Sequence, residues 1–348
     1  MSATPVAASG REAPGGAPNH YFRSLADAFE AASDHAGAIE HTLAIGPLRV
    51  AMRFAGPRLA ELFAPAFEHL ESSGAGRVDA TVCVWDSEST GVRVPSFTWR
   101  PRHLSPRGEV EGYNDARFRT IYHGDVMSED GDFNALSMHD ATARTAIFWV
   151  QGADRIHWWE RAEPLRTLMH WTLDGPRRYL AHAAAIGDER GAVLLAGPGG
   201  SGKTTTALAC VESGLSFVGE NYVLLTSEPA PVVHGVYATA KLRPNTLELL
   251  PGLATRVRTM DVADGEKRIV DMARHWPERL ASGLPVRALV VPRVTGESGA
   301  RLVRTSAAEA VLALAPTTVA QLPRNGGVLG PMAALARSLP VYRLELGG

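Results

Sequence analysis

The chain has 348 residues, 45% of them hydrophobic, with 35 basic residues against 37 acidic ones and a formal net charge of −2. A length of this order supplies a substantial core and suggests about two domains, and the near-cancelled charge argues against nucleic acid as a partner. No apolar stretch approaches the roughly 20 residues that span a bilayer, and the start lacks the basic-then-apolar order of a signal peptide. With only two cysteines, Cys83 and Cys210, and no membrane partner indicated, the expectation is a soluble, reduced, cytoplasmic protein in which Cys210 is a buried thiol.

Residues 1–20 are rich in Ala, Gly, Pro and Ser and have little to bury, so they are expected to form a disordered leader. Residues 21–178 are predicted to form a smaller α+β domain. Phe22, Leu25, Phe29 and Ala32 recur at helical spacing, residues 42–54 read as two strands about a Gly-Pro turn, and residues 57–72 return to a helical period. Strands are predicted at 78–86 and 145–151 and a helix at 163–173, while Trp158, Trp159 and Trp171 read as core or interface aromatics. Residues 179–348 alternate strand, loop and helix, the pattern of an α/β domain with a central, mostly parallel sheet. Its strands are expected at 183–186, 192–196, 222–226, 287–291 and 341–346, with a helix at 307–315.

Gly197 to Thr204 read GPGGSGKT, the G-x-x-x-x-G-K-[ST] phosphate-loop pattern, between an apolar strand-like run and a helical run at 204–213. The strand, Lys203 and Thr204 together weigh against a glycine-rich turn that merely caps a helix. Gly197, Gly199, Gly200 and Gly202 let the backbone turn sharply and approach a polyphosphate, whose charge the loop N–H groups and the helix N-terminus can cradle. Lys203 adds a cation between terminal phosphates, the Thr204 hydroxyl is a ligand for Mg²⁺, and Ser201 and Thr205 are further phosphate donors. ATP and Mg²⁺ are therefore the expected cofactors. The distal carboxylate of ordinary phosphate-loop ATPases is missing, because the strand at 288–291 runs into Pro292 and Arg293. The nearest acid is Glu220, 17 positions after Lys203 at the entrance to the strand beginning at Tyr222.

Several segments in order then carry a resemblance: Glu163-Pro164-Leu165-Arg166, Leu180 to Ala185, GPGGSGKTTTALAC, Gly214 to Gly219 leading into Tyr222 to Leu225, Ala240 to Arg243, Glu266 to Arg268, Val291 to Arg293 and Ala315 to Thr318. Together they make residues 163–346 similar to the catalytic domain of HPr serine kinase/phosphorylase, and within that family to the kinase-like proteins of lasso peptide biosynthesis. The resemblance implies a phosphate-loop kinase domain. It also implies an Asp-Asp pair where this chain has Glu220-Asn221, so that Glu220 acts on the acceptor hydroxyl and Asn221 serves the metal through its amide oxygen. It implies that His182 faces the phosphate site and hydrogen-bonds a catalytic carboxylate, although a satisfied core histidine fits equally well. It places Lys241 and Lys267, next to Arg243 and Arg268, where cations meet the transferring phosphoryl group, although each alone reads as a solvated surface cation. His41, His123, His139 and Glu163 show no metal-ligand spacing, and no zinc site is assigned.

The expected function is ATP-dependent transfer of the γ-phosphoryl group to a hydroxyl, with a serine of a ribosomally synthesised precursor peptide as acceptor and the first domain presenting it. Two alternatives stay open: a kinase for a small hydroxyl-bearing molecule such as a sugar or free serine, and a non-catalytic nucleotide-gated binding module, to which the Glu220-Asn221 departure points. A homo-oligomer is compatible with the sequence and not specified by it.

Overall fold

The structure is a computed structural model describing residues 16–99, 109–123, 134–256, 267–322 and 327–347. Its architecture is mixed α/β, built on two large sheets. The first has seven strands: β1 (Ala38–Ile45), β2 (Leu48–Ala55), β3 (Ala80–Asp86), β4 (Val110–Asn114), β5 (Phe118–His123), β6 (Ala135–Asp140) and β7 (Thr145–Val150), in the order β1-β2-β3-β7-β6-β5-β4. The predicted hairpin about Gly46-Pro47 is β1 and β2, with Ile45 opposite Leu48. Residues 57–72 are helical only over Pro57–Phe63; Pro65 cannot donate the next helical hydrogen bond, and the chain continues as two short 3₁₀ turns, Ala64–Ala66 and Glu68–Leu70.

The helix Gly16–Ala36 lays Tyr21, Phe22, Leu25, Phe29 and Ala32 on one face of this sheet, as their spacing predicts. It begins inside the segment assigned to the leader. Pro18 is buried in its first turn, where a missing N–H costs nothing, so residues 16–20 belong to the fold. The rest of the expected leader, residues 1–15, lies outside the described residues.

The second sheet has nine strands: β8 (Arg178–His182), β9 (Ala184–Asp188), β10 (Gly191–Leu195), β11 (Ser216–Gly219), β12 (Tyr222–Thr226), β13 (Val232–His234), β16 (Gly283–Val294), β17 (Ala300–Arg304) and β18 (Val341–Leu346). The intervening β14 (Thr239–Leu242) and β15 (Arg268–Asp271) form a separate two-stranded ribbon. The expectation of mostly parallel pairing holds only at the centre, where β16 runs parallel to both β10 and β18. Its other partner β13, and the pairs β9 with β10 and β8 with β12, are antiparallel. Buried apolar runs look alike in either direction, and the tight turn between Asp188 and Gly191 forces β9 and β10 into a hairpin. The helix Lys203–Glu212 covers one face through Ala207, Leu208 and Val211. The helices Ala307–Gln321 and Leu329–Ser338 cover the other through Ala310, Leu314 and Met332. Among the described residues, no helix is long and apolar enough to cross a membrane.

One buried cluster belongs to both sheets: Phe63, Phe67 and Phe148 from the first half pack with Leu180, Leu224 and Tyr237 from the second, with Leu168 of the helix Arg166–Leu173 in the same cluster. Burial of apolar area on this scale is the main stabilising term, and cutting the chain here exposes it to water. A chain starting at residue 175 is therefore expected to lose its cooperative thermal transition. A sharp transition together with full nucleotide affinity in that truncated chain would show that the second half folds alone.

Two histidines in the first half set an acid limit. Burial pushes both His69 and His139 down to about 4 from an ordinary 6.5, the charge of Arg119 adding to the effect at His139. Between those pH values the unfolded chain binds protons that the folded chain does not, so stability is complete above pH 6.5 and is lost as pH falls towards 4. Each such group contributes up to about 1.4 kcal/mol per pH unit across the window. His139→Gln should flatten the slope of unfolding free energy against pH by about one proton, and an unchanged slope in urea titrations would exclude His139 as a source.

Candidate functional site

The apolar strand β10 ends at Leu195, and Gly202 caps the helix Lys203–Glu212. The loop between them is thus set by a buried strand below and a helix N-terminus above, the arrangement that aims backbone N–H groups at an anion. Gly202 adopts φ +100°, which a side chain rarely tolerates, and a Cβ there would lie 2.6 Å from Leu346 Cδ1 of β18. Gly199 and Gly200 have open space on the side where a Cβ would stand. The phosphate-loop pattern therefore has the strand-loop-helix setting that the motif requires.

The loop borders a cavity of about 770 Å³. Its lining brings together His182, Gly199, Gly200, Gly202, Lys203, Thr204, Thr205, Asn221, Lys241, Arg243 and Lys267, all named from the sequence. Gly197, Ser201, Glu220 and Arg268, also named from the sequence, are not part of that lining. The Ser201 hydroxyl is enclosed with no hydrogen-bond partner among the described residues. Lys203 is 6% exposed, and its Nζ donates to the carbonyls of Gly197 at 2.6 Å and Pro198 at 3.1 Å. Burial lowers its proton affinity while Glu220 opposes that fall, and Lys267 adds to it. Thr205 Oγ1 lies 3.4 Å from Thr246 Oγ1.

Glu220 sits at the corner between β11 and β12, 2% exposed. Thr204 Oγ1 donates to its Oε1 at 2.5 Å, and the backbone N–H of Lys241 donates to its Oε2 at 3.3 Å. Burial raises its pKa; the Thr204 hydrogen bond lowers it, the charge of Glu163 raises it further, and Lys241 and Lys267 pull it down. The corner turns at Asn221, at φ +73°, a region asparagine tolerates better than most side chains. The resemblance assigns its amide oxygen to a metal; its amide nitrogen, Nδ2, donates to Glu163 Oε1 at 2.6 Å.

His182 is buried and its ring packs on Tyr222 at 5.6 Å. Its backbone N–H donates to Thr318 Oγ1 at 3.0 Å, while its ring Nδ1 has no partner among the described residues. Desolvation, helped by the charges of Lys203, Lys241 and Lys267, pushes its pKa down to about 3, so the ring is neutral at physiological pH.

The sequence reading has the first half present the acceptor but names none of its residues as lining the site. Trp159, Glu160, Glu163 and Arg166 line the same cavity. Trp159 is 42% exposed at its mouth, stacked on His157 at 4.1 Å, whereas Trp171 is buried in the core as expected. Arg166 donates to the Tyr222 hydroxyl at 3.4 Å and pairs with Glu109 at 3.6 Å. Trp159, Glu160 and Arg166 also line a second, adjoining cavity of about 310 Å³ floored by Ser137 and Phe148 of the first sheet. Cys210, expected to be a buried thiol, is half-buried and faces the main cavity. Only the Glu-Pro-Leu-Arg segment hinted at any of this, and nothing in its spacing relates it to the loop.

The cavity is electropositive overall, with Arg166, Lys203, Lys241, Arg243 and Lys267 set against Glu160, Glu163 and Glu220. It can hold a polyanion on the loop with a carboxylate beneath the end of the helix. Among the described residues no three His, Cys, Asp or Glu side chains are grouped to hold a metal. The Thr204 and Glu220 oxygens are nevertheless hard donors of the kind suited to Mg²⁺, which takes few protein ligands and keeps several waters.

No protein-family model and no curated protein matches the chain. Among solved structures it is similar to the Hpr(Ser) kinase/phosphatase from Coxiella burnetii, at 12% identity over 49% of this chain and 85% of that one, with a TM-score of 0.25.

Proposed function

We propose that this chain is an ATP-dependent, Mg²⁺-requiring phosphotransferase that moves the γ-phosphoryl group of ATP onto a hydroxyl, and that the acceptor is a serine of a ribosomally synthesised precursor peptide. The observation that carries the reading is the 2.5 Å contact between Thr204 of the phosphate loop and Glu220, which sets a buried carboxylate directly against the loop hydroxyl that lines the cavity. The choice of acceptor rests on the sequence resemblance, and the first-half residues in the cavity lining are compatible with it.

In this reading the loop N–H groups and Lys203 hold the β- and γ-phosphates, with the helix N-terminus adding its partial charge. Mg²⁺, when bound, would be held through the Thr204 hydroxyl with Glu220 beside it, and would supply charge that offsets the phosphates. Glu220 accepts the proton of the acceptor hydroxyl as its oxygen bonds to the γ-phosphorus, and the bond to the bridging oxygen breaks to release ADP. Lys241 and Lys267 stabilise the equatorial oxygens. Neutral His182 adds no charge at the site and packs against Tyr222 on the cavity wall. Residues before 179, through Trp159, Glu160 and Arg166, meet the acceptor.

The test is mass spectrometry of a serine-containing peptide pool after incubation with protein and Mg-ATP, with a sugar and free-serine pool beside it. Phosphate on a peptide serine supports the reading, and phosphate only on a metabolite replaces the acceptor. A nucleotide-gated binding module draws on one observation, that both oxygens of Glu220 are already engaged. Tight ATP binding without ADP release in either pool would favour it.

A further inference from the structure

Glu163 belongs to no strand of the loop-bearing sheet. It stands at a corner after the short helix Trp158–Ala162, where Leu165 takes φ +58° and Glu160 Oε1 accepts from the Leu165 N–H at 2.7 Å. The backbone on both sides of it is tied to the approach of β14. The Tyr237 hydroxyl donates to Pro164 O at 3.1 Å, and the Thr239 hydroxyl donates to Ala162 O. Four of its near neighbours in sequence, Glu160, Ala162, Pro164 and Leu165, are thus held at this corner.

The side chain is 5% exposed and both carboxylate oxygens are engaged. Oε1 accepts from Asn221 Nδ2 at 2.6 Å, and Oε2 accepts from Lys241 Nζ at 2.7 Å, with Lys241 itself largely covered. A buried ion pair is weak evidence for stability, because desolvation offsets its Coulomb gain. What it does give is orientation. Both of its partners line the cavity, and both adjoin Glu220: Asn221 follows it in the chain, and the Lys241 N–H donates to it.

We propose that Glu163 is a positioning residue for phosphoryl transfer, a clamp that fixes the Lys241 ammonium and the Asn221 amide on either side of Glu220. This inference rests on the phosphotransferase reading above. It requires a specific donor and acceptor order across positions 163, 221 and 241, and that order can be transposed. In Glu163→Gln the new NH₂ meets the NH₂ of Asn221, or else leaves Lys241 without its acceptor. In Asn221→Asp two carboxylates face each other across a contact that has lost its own donor. In the double variant the glutamine NH₂ donates to the new aspartate and its oxygen accepts from Lys241, so every hydrogen bond returns and the number of negative charges is unchanged.

The experiment compares parent, both single variants and the double variant in three measurements: ADP release from Mg-ATP with the serine peptide pool, calorimetric affinity for a non-hydrolysable ATP analogue, and the thermal midpoint of the protein alone. Each single variant is expected to lower the turnover rate roughly 10- to 100-fold, the range for groups that orient a reacting side chain, while analogue affinity stays within about threefold. The double variant is expected to recover most of the turnover and the thermal midpoint. Single variants that lose thermal midpoint at parental turnover would make Glu163 purely structural, and a double variant no better than its worse parent would overturn the clamp. A parent that binds no analogue and releases no ADP sinks the phosphotransferase reading itself, and this role with it.

Discussion

Lys203→Ala is expected to abolish phosphoryl transfer and to weaken Mg-ATP binding by roughly 100-fold or more, the low end of what removing a buried, hydrogen-bonded charge from an ion-pair site costs. The reason is local. Lys203 is the first residue of the helix, its ammonium is buried among loop carbonyls, and it is the cation placed between the loop and the cavity. The variant also removes donors from Gly197 O and Pro198 O, so circular dichroism and the thermal midpoint must accompany the titration. A folded Lys203→Ala protein that binds Mg-ATP with parental affinity would remove the loop from the nucleotide site.

Glu220→Gln should leave ATP affinity near the parental value and lower transfer by roughly 10²- to 10⁴-fold, the usual span for a positioned general base. The amide is nearly isosteric. Its oxygen can still accept from the Lys241 N–H or from the Thr204 hydroxyl, so the corner at Asn221 has little reason to move. What disappears is the ability to take a proton, together with the negative charge beneath Thr204. Single-turnover phosphate transfer at the parental rate in Glu220→Gln would dismiss Glu220 as the acting carboxylate and favour the binding-module reading.

The loop was legible because all its chemistry is contiguous: four glycines, Lys203 and Thr204 within eight positions, preceded by an apolar run. Glu220 was legible because one helix and one short strand return the chain to the loop, so nearness in sequence becomes nearness in space. Glu163 was not. Its place depends on a left-handed Leu165 and on tethers to Tyr237 and Thr239, none of which leaves a periodic signal. The direction of strand pairing was hidden for a related reason: hydrophobic runs report burial, and only the connections decide which neighbour a buried strand meets. In the first half, β4, β5 and β6 escaped notice because they are short, and polar residues such as Glu111, Arg119 and His139 interrupt their apolar pattern.

The contact between Leu346 and the position above Gly202 bears on how the protein should be handled at the bench. The closing strand β18 is a wall of the cavity, with Leu344, Leu346 and Gly347 lining it beside the loop. Bulk introduced at Leu346 or Gly347, as by a fluorescent label coupled there, would stand against the phosphate loop and perturb the binding it is meant to report.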